Sequence, residues 1–325
     1  MVRSLPRQGL VLWERDPRPD ITVDDILEGK VGVGLDLDFE ILEAALRYNY
    51  LTALQFRGRG SREEPVDPTT PAFWRRVQRR FQRLHEVGLL DRAWVRYRPK
   101  TVDAAPTAGV PLAGEWVYAL SPKGMELLVR TNSPWGRRWE SDWRPRSAGE
   151  SRKLSIAHEL GRNDVAVAMW AEARTLGHPL IEWEGPREAY HRVAPPTPGA
   201  PWQHVEPDSV LILHTGRPLL LEYERSGRAD KFLTKVRTMR MYLASGAWKE
   251  RYLSTPWVVY AVPSFVRTES REAGSFGALA AQAKTLHSSR YLFVNDEQLR
   301  QGNWDAVDAD GRRVPFWSTV WNTAV

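Results

Sequence analysis

The chain has 325 residues, of which 42% are hydrophobic and 26% charged, enough to bury two ordinary cores and too apolar for a disordered protein. It has no cysteine, which excludes disulfides, thiolate metal sites and a cysteine nucleophile, while 46 Lys and Arg against 40 Asp and Glu permit an anionic partner without requiring one. Nowhere do about 18 uncharged apolar residues run together, and no apolar run leads the chain, so a soluble cytoplasmic protein is expected. Residues 1–37 mix prolines and charges and read as an arm with one short helix over 23–28. Gly32-Val33-Gly34 lacks the lysine and the preceding strand of a phosphate loop and reads as a turn.

From residue 38 the pattern becomes helical. Asp38 is a plausible N-cap for a helix through Tyr48, with Phe39, Leu42, Ala45 and Leu46 on one stripe, and a second short helix is expected from about Thr52. Thr70-Pro71 then opens the strongest helical signal, AFWRRVQRRFQRLHEVG, in which Phe73, Val77, Phe81 and Leu84 form the buried face. Arg75, Arg76, Arg79, Arg80 and Arg83 occupy the rest. Residues 71–100 hold nine Lys and Arg against two Asp and Glu, a local excess of seven in a chain whose total is +6. Strands are expected over 93–98 and 115–120 around an Ala/Pro/Thr/Gly loop, then a helix over 125–130. Helix, helix, arginine-rich helix, β-hairpin and helix is the order of a winged-helix domain, and HEVGLLDR with YALSPKGMELL resembles bacterial winged-helix proteins. That resemblance implies an arginine-rich helix in the major groove of double-stranded DNA, with Arg96 and Arg98 on the wing strand adding phosphate contacts. A plain solvated arginine face is the other reading.

Residues 131–152 form a basic linker in which Trp135, Trp139 and Trp143 recur every four residues, either as a packing stripe or as aromatics interleaved with arginine for single-strand stacking. A nearly all-apolar helix over 155–176 opens a second domain. Strands follow over 179–184, 209–213 and 219–224, a helix over 230–245, a strand over 257–262, a helix over 273–286 and a strand over 291–295. The tail from residue 300 reads as turn-like.

Residues 204–242 carry the most chemistry. Along the strand over 219–224 the side chains alternate, so Leu220, Glu222 and Glu224 share a face, and Asp208 opens the neighbouring strand of the hairpin. Three acids converging there would suit Mg²⁺ or Mn²⁺. A solvated strand end and a turn aspartate are the alternative reading. Lys231 and Lys235 lie one turn apart on the following helix.

Pro207-Asp208 followed by Glu222-Tyr223-Glu224 resembles the core of the PD-(D/E)XK nucleases, except that Glu224 stands where that pattern has lysine. The resemblance implies Asp208, Glu222 and Glu224 as catalytic carboxylates, Lys235 or Lys231 as the substitute cation, and Asp208, Glu222 and Glu159 as metal ligands. The stretch ending LEYERSGRADKFLTKVRTMRMY is similar to the carboxyl-terminal domain of the replication-relaxation family of plasmid and conjugative-element proteins. Together these give an α/β (α+β) chain: an arm (1–37), a winged-helix domain (38–130), a linker (131–152) and a PD-(D/E)XK-like mixed sheet flanked by helices (153–325). The function implied is a DNA-binding protein of a mobile element or plasmid, with divalent-metal-dependent endonuclease or nickase activity. The alternative is a non-catalytic adaptor that recruits a mobile-element protein partner.

Overall fold

The computed structural model describes residues 13–34, 36–59, 70–95, 115–145, 153–193, 202–224, 229–262 and 290–322. The chain divides into two units, Met1–Arg98 with Pro111–Asn163, and Pro99–Val110 with Asp164–Val325. The fold is of mixed α and β class.

In the first unit, capping side chains set the helix starts. After β1 (Trp13–Glu14), α1 (Val23–Leu27) begins at Thr22, whose hydroxyl accepts from the Asp25 N–H while the Asp25 carboxylate accepts from the Thr22 N–H. Helix α2 (Asp36–Tyr48) and β2 (Leu51–Thr52) lead to α3 (Ala53–Arg59), where Thr52 and Gln55 make the same reciprocal pair at 3.1 Å each way. Helix α4 (Pro71–Glu86) starts as its sequence predicts, with Thr70 Oγ1 accepting from the Phe73 N–H at 3.3 Å and proline in the first turn. Strands β3 (Leu90–Val95) and β4 (Glu115–Leu120) form the hairpin, followed by α5 (Pro122–Arg130) and α6 (Pro134–Trp139). Sheet order is β1-β3-β4-β2.

Phe73, Val77, Phe81 and Leu84 of α4 are all buried, and Phe81 packs against Phe56 and Tyr118 with ring centroids 5.8 and 4.9 Å apart. The other face of the hairpin, Ala93, Val95, Val117 and Ala119, packs with Tyr50 and with Ile156 and Leu160 from the start of α7 (Lys153–Thr175). One expectation is corrected: Asp38 does not cap α2. The helix begins two residues earlier, and the buried Asp38 carboxylate accepts from the Gly34 N–H at 3.0 Å and pairs with Arg80. Residues 134–139, read as part of a linker, are helical and lie within the first unit.

Among the described residues the second unit is built on a seven-stranded sheet of order β13-β12-β11-β10-β9-β8-β5. Its strands are β5 (Leu180–Glu184), β8 (Ser209–Leu213), β9 (Pro218–Tyr223), β10 (Trp257–Val262), β11 (Tyr291–Asn295), β12 (Asp305–Asp308) and β13 (Arg313–Pro315). Strands β5, β8 and β9 run as an antiparallel meander; β10 and β11 are each parallel to their inner neighbour, and β12 and β13 return antiparallel. A separate ribbon pairs β6 (His191–Val193) with β7 (Gln203–Val205). Helix α8 (Ala229–Ser245) lays Phe232, Val236, Met239 and Tyr242 against Val210, Leu220, Val258, Tyr260 and Phe293 of one sheet face.

After the short α9 (Asp296–Arg300), the tail, expected to be turn-like, instead forms the hairpin β12–β13 and α10 (Phe316–Asn322). Strand β13 has only three residues, with Arg313 and Pro315 on it, and β5 at the other edge carries an irregularity between Leu180 and Glu182. The helix expected over 273–286 lies outside the described residues. Among the described residues no helix is long and apolar enough to cross a membrane.

Candidate functional site

The hairpin register decides where the acids of the second unit meet. Ser209 pairs with Leu221 and Val210 with Leu220, so one further step puts Asp208 across from Glu222. The chain is drawn in at that step because Asp208 Oδ2 accepts from the Tyr223 N–H at 2.8 Å. Helix α8 covers the same face, and Lys235 Nζ donates to Glu222 Oε2 at 2.6 Å and stands 4.0 Å from Asp208 Oδ2. Asp208, Glu222 and Lys235 are thus brought together at the carboxyl end of β9. Glu224 is buried just beyond the strand, its N–H donating to the Ala261 carbonyl at 3.0 Å. Lys231, one turn before Lys235, is exposed.

Three carboxylates and one lysine do not balance. Glu222 is 2% exposed. Burial raises its pKa, Lys235 pulls it back, and Asp208 and Glu224 push it up again, to about 8. Burial also opposes the charge of Lys235, but Glu222 and Asp208 more than offset it and hold the ammonium above the ordinary lysine range. The cluster therefore keeps an extra proton near neutrality. Tyr260, directly opposite Glu222 on β10, has a buried hydroxyl with no hydrogen-bond partner among the described residues, and burial followed by the Glu222 charge raises its pKa well above normal. Sequence reasoning passed over Tyr260; its signal is the one hydroxyl in the apolar run WVVYAV.

Glu159 belongs to the first unit, where its carboxylate pairs with the buried Arg162 at 2.5 Å and accepts from Asn49 Nδ2 at 3.3 Å. Among the described residues no group of three or more acids or histidines is arranged to hold a metal ion. Mg²⁺ is commonly bound by one or two carboxylates, with water and substrate phosphate completing its shell. The hard oxygens of Asp208 and Glu222, already facing a cation in Lys235, fit that smaller set.

A second polar network was not anticipated. Glu184 ends β5, which runs parallel to β9 and so finishes at the same end of the sheet. Its carboxylate pairs with Arg251 at 2.7 Å and accepts from the Tyr252 hydroxyl at 3.0 Å. His191 lies between the hydroxyls of Tyr242, 3.1 Å from Nδ1, and Tyr252, 3.3 Å from Nε2. Burial, then the Arg251 charge, lowers the His191 pKa to about 4, so the imidazole is neutral at physiological pH. These residues come from a strand end, a ribbon, helix α8 and a turn, which no single sequence window joins.

In the first unit the arginines of α4 divide into two groups. Arg75 and Arg79 are exposed, one turn apart, and make no ion pair among the described residues. Arg76 is half-buried over the Phe73 ring. Arg80 is committed to Asp38, and Arg83 donates to the Val31 carbonyl at 2.8 Å and stands 3.9 Å from Glu86. These last two tie α4 to the segment before α2 and to α2 itself. Arg96 and Arg98 lie outside the described residues.

The sequence model of the replication-relaxation family matches residues 61–258, more than half of the chain. No curated protein and no solved structure matches.

Proposed function

The chain belongs to the replication-relaxation family, which ties it to plasmid or mobile-element replication or transfer, and we propose that it acts there as a DNA-binding protein. The observation that carries this reading is the outward pair Arg75 and Arg79 on a firmly capped helix. The element order α2, α3, α4, β3, β4, α5 supports a winged-helix arrangement, with α4 entering the major groove of duplex DNA. Replacing Arg75 and Arg79 by alanine should weaken duplex binding and reduce the slope of log K against log salt by about 1.8, each lost phosphate contact removing about 0.9. A salt titration checks this: an unchanged slope moves the binding surface off α4. Arg80→Ala should instead lower the melting temperature, since it removes the cation that faces the buried Asp38 carboxylate.

A second reading, phosphodiester hydrolysis, is favoured by the convergence of Asp208, Glu222 and Lys235. The order α7, β5, β8, β9, α8, β10, with the first three strands antiparallel and β10 parallel to β9, supports the nuclease-like assignment. Asp208 and Glu222 would hold Mg²⁺ or Mn²⁺. Bound there, the ion would polarise phosphoryl oxygens and acidify the attacking water. Lys235, held protonated, would donate toward the negative charge that develops on the phosphate, in place of the lysine that Glu224 displaces from the strand.

Supercoiled plasmid incubated with Mn²⁺ should be nicked by the wild type and left intact by Asp208→Asn, Glu222→Gln and Lys235→Met. Millimolar Mn²⁺ should also raise the wild-type melting temperature and not that of the doubly substituted Asp208→Asn/Glu222→Gln protein. Undiminished nicking by these variants would remove the site. A wild type that neither cuts nor responds to Mn²⁺ leaves the second unit as a non-catalytic platform for a protein partner.

A further inference from the structure

Between α4 and the β3–β4 hairpin the first unit has a cleft of about 640 Å³. Side chains alternate along the hairpin. Ala93, Val95, Val117 and Ala119 go to the core, and Arg92, Trp94, Trp116 and Tyr118 line the cleft. At the inner end Tyr118 is buried against Phe81. Toward the mouth the aromatic character continues without that burial. Trp94 and Trp116 are cross-strand partners with ring centroids 5.1 Å apart, edge to face, and Trp94 is 50% exposed.

The Arg92 guanidinium lies 4.2 Å from the Trp116 ring centroid while its Nε donates to Glu14 at 2.8 Å, so the inner ring is clamped and the outer one is not. The opposite wall is Trp74, Arg75, Gln78 and Arg79 of α4. Among the described residues no carboxylate lines the cleft.

A half-exposed tryptophan braced by a second one, facing two outward guanidinium groups across a space whose described lining holds no acid, matches a ligand with a flat apolar face and a negative charge beside it. A nucleotide has both. In a duplex the base faces are covered by their neighbours, so only an unpaired base can lie on Trp94. We propose that this cleft binds unpaired nucleotides of single-stranded DNA, the base stacking on Trp94 with Trp116 behind it and the adjoining phosphates on Arg75 and Arg79. The phosphate half rests on the DNA-binding reading of α4 given above. The stacking half does not. A protein carrying both surfaces would be suited to a junction between duplex and single strand.

Fluorescence anisotropy with a labelled oligothymidylate and a blunt duplex of equal length tests this on the full chain. Trp94→Ala should weaken single-strand binding about tenfold or more and leave duplex binding unchanged, with Trp94→Phe recovering most of the loss because any aromatic face stacks. Trp94 is a surface residue, so the variant should melt with the wild type. Single-strand affinity unchanged in Trp94→Ala, or reduced equally for both probes, would overturn the proposal. The Arg75→Ala/Arg79→Ala protein should lose affinity for both probes. If it loses neither while Trp94→Ala loses the single strand, the phosphate role of α4 falls and the stacking site stands.

Discussion

Glu222→Gln should flatten the pH dependence of stability between about pH 4.5, the ordinary glutamate value, and about pH 8, the value of Glu222 in the folded chain. Within that window the folded state holds a proton that the unfolded state has released, so stability falls as pH rises. The contribution is fully present below the unfolded pKa and is lost as pH climbs through the folded one. Each unit of displacement corresponds to about 1.4 kcal/mol, so the loss across the window is on the order of a few kcal/mol. Glutamine accepts the Lys235 hydrogen bond through its amide oxygen and does not titrate. Lys235 keeps its charge throughout, because its own pKa is raised. Urea unfolding of both proteins at pH 5 and pH 8 checks the expectation: the wild type should lose markedly more stability than the variant between the two. Parallel profiles would show that Glu222 is ionised in the folded chain and that Lys235 alone neutralises the cluster.

Gly124→Ala should destabilise the first unit by about 3 kcal/mol, the upper part of the range for overpacked positions. A β-carbon at this position would lie 2.2 Å from the Leu89 carbonyl oxygen and 2.8 Å from Leu120 Cδ1. The near neighbour is backbone at the start of the hairpin and cannot turn aside as a side chain would. The same corner is fixed by Ser121, whose hydroxyl donates to the Gly88 carbonyl at 2.6 Å and accepts from the Gly124 N–H at 3.0 Å. Neither side of the contact can withdraw without giving up the cap of α5. A thermal or urea midpoint equal to that of the wild type would mean that α5 can shift outward at little cost.

Much of this fold is legible where one local signal is strong. Thr70-Pro71 with a four-residue apolar stripe gives α4 to its first residue, and the apolar runs of β8, β10 and β11 give those strands with the bounds expected. The convergence of Asp208 and Glu222 follows from strand alternation and a short hairpin, while helical spacing offers Lys231 and Lys235 alike and only the fold pairs Lys235 with Glu222. What the pattern hides is of two kinds. Short polar strands such as β12, DAVD, and β13, RVP, have no apolar alternation because they lie toward one side of the sheet, so the tail reads as turns. The other kind is choice of partner. Arg75 and Arg80 are the same residue on the same helix, and only the fold sends one outward and gives the other Asp38. Glu159 looked like an acid on the first helix of a nuclease core, but Arg162, three residues on, takes its carboxylate.

The two margins of the large sheet bear on how the chain behaves at high concentration. An unpaired strand margin is a template on which another chain can add hydrogen bonds, the route to aggregation and fibre growth. On one side β13 is three residues long, bears Arg313 and ends in Pro315, which has no N–H to offer. On the other, the irregularity between Leu180 and Glu182 breaks the regular spacing that an incoming strand would need, and it does so beside Ile181, which is 59% exposed and would otherwise be the adhesive point of that margin. Each described margin thereby carries a feature that disfavours the addition of a further strand.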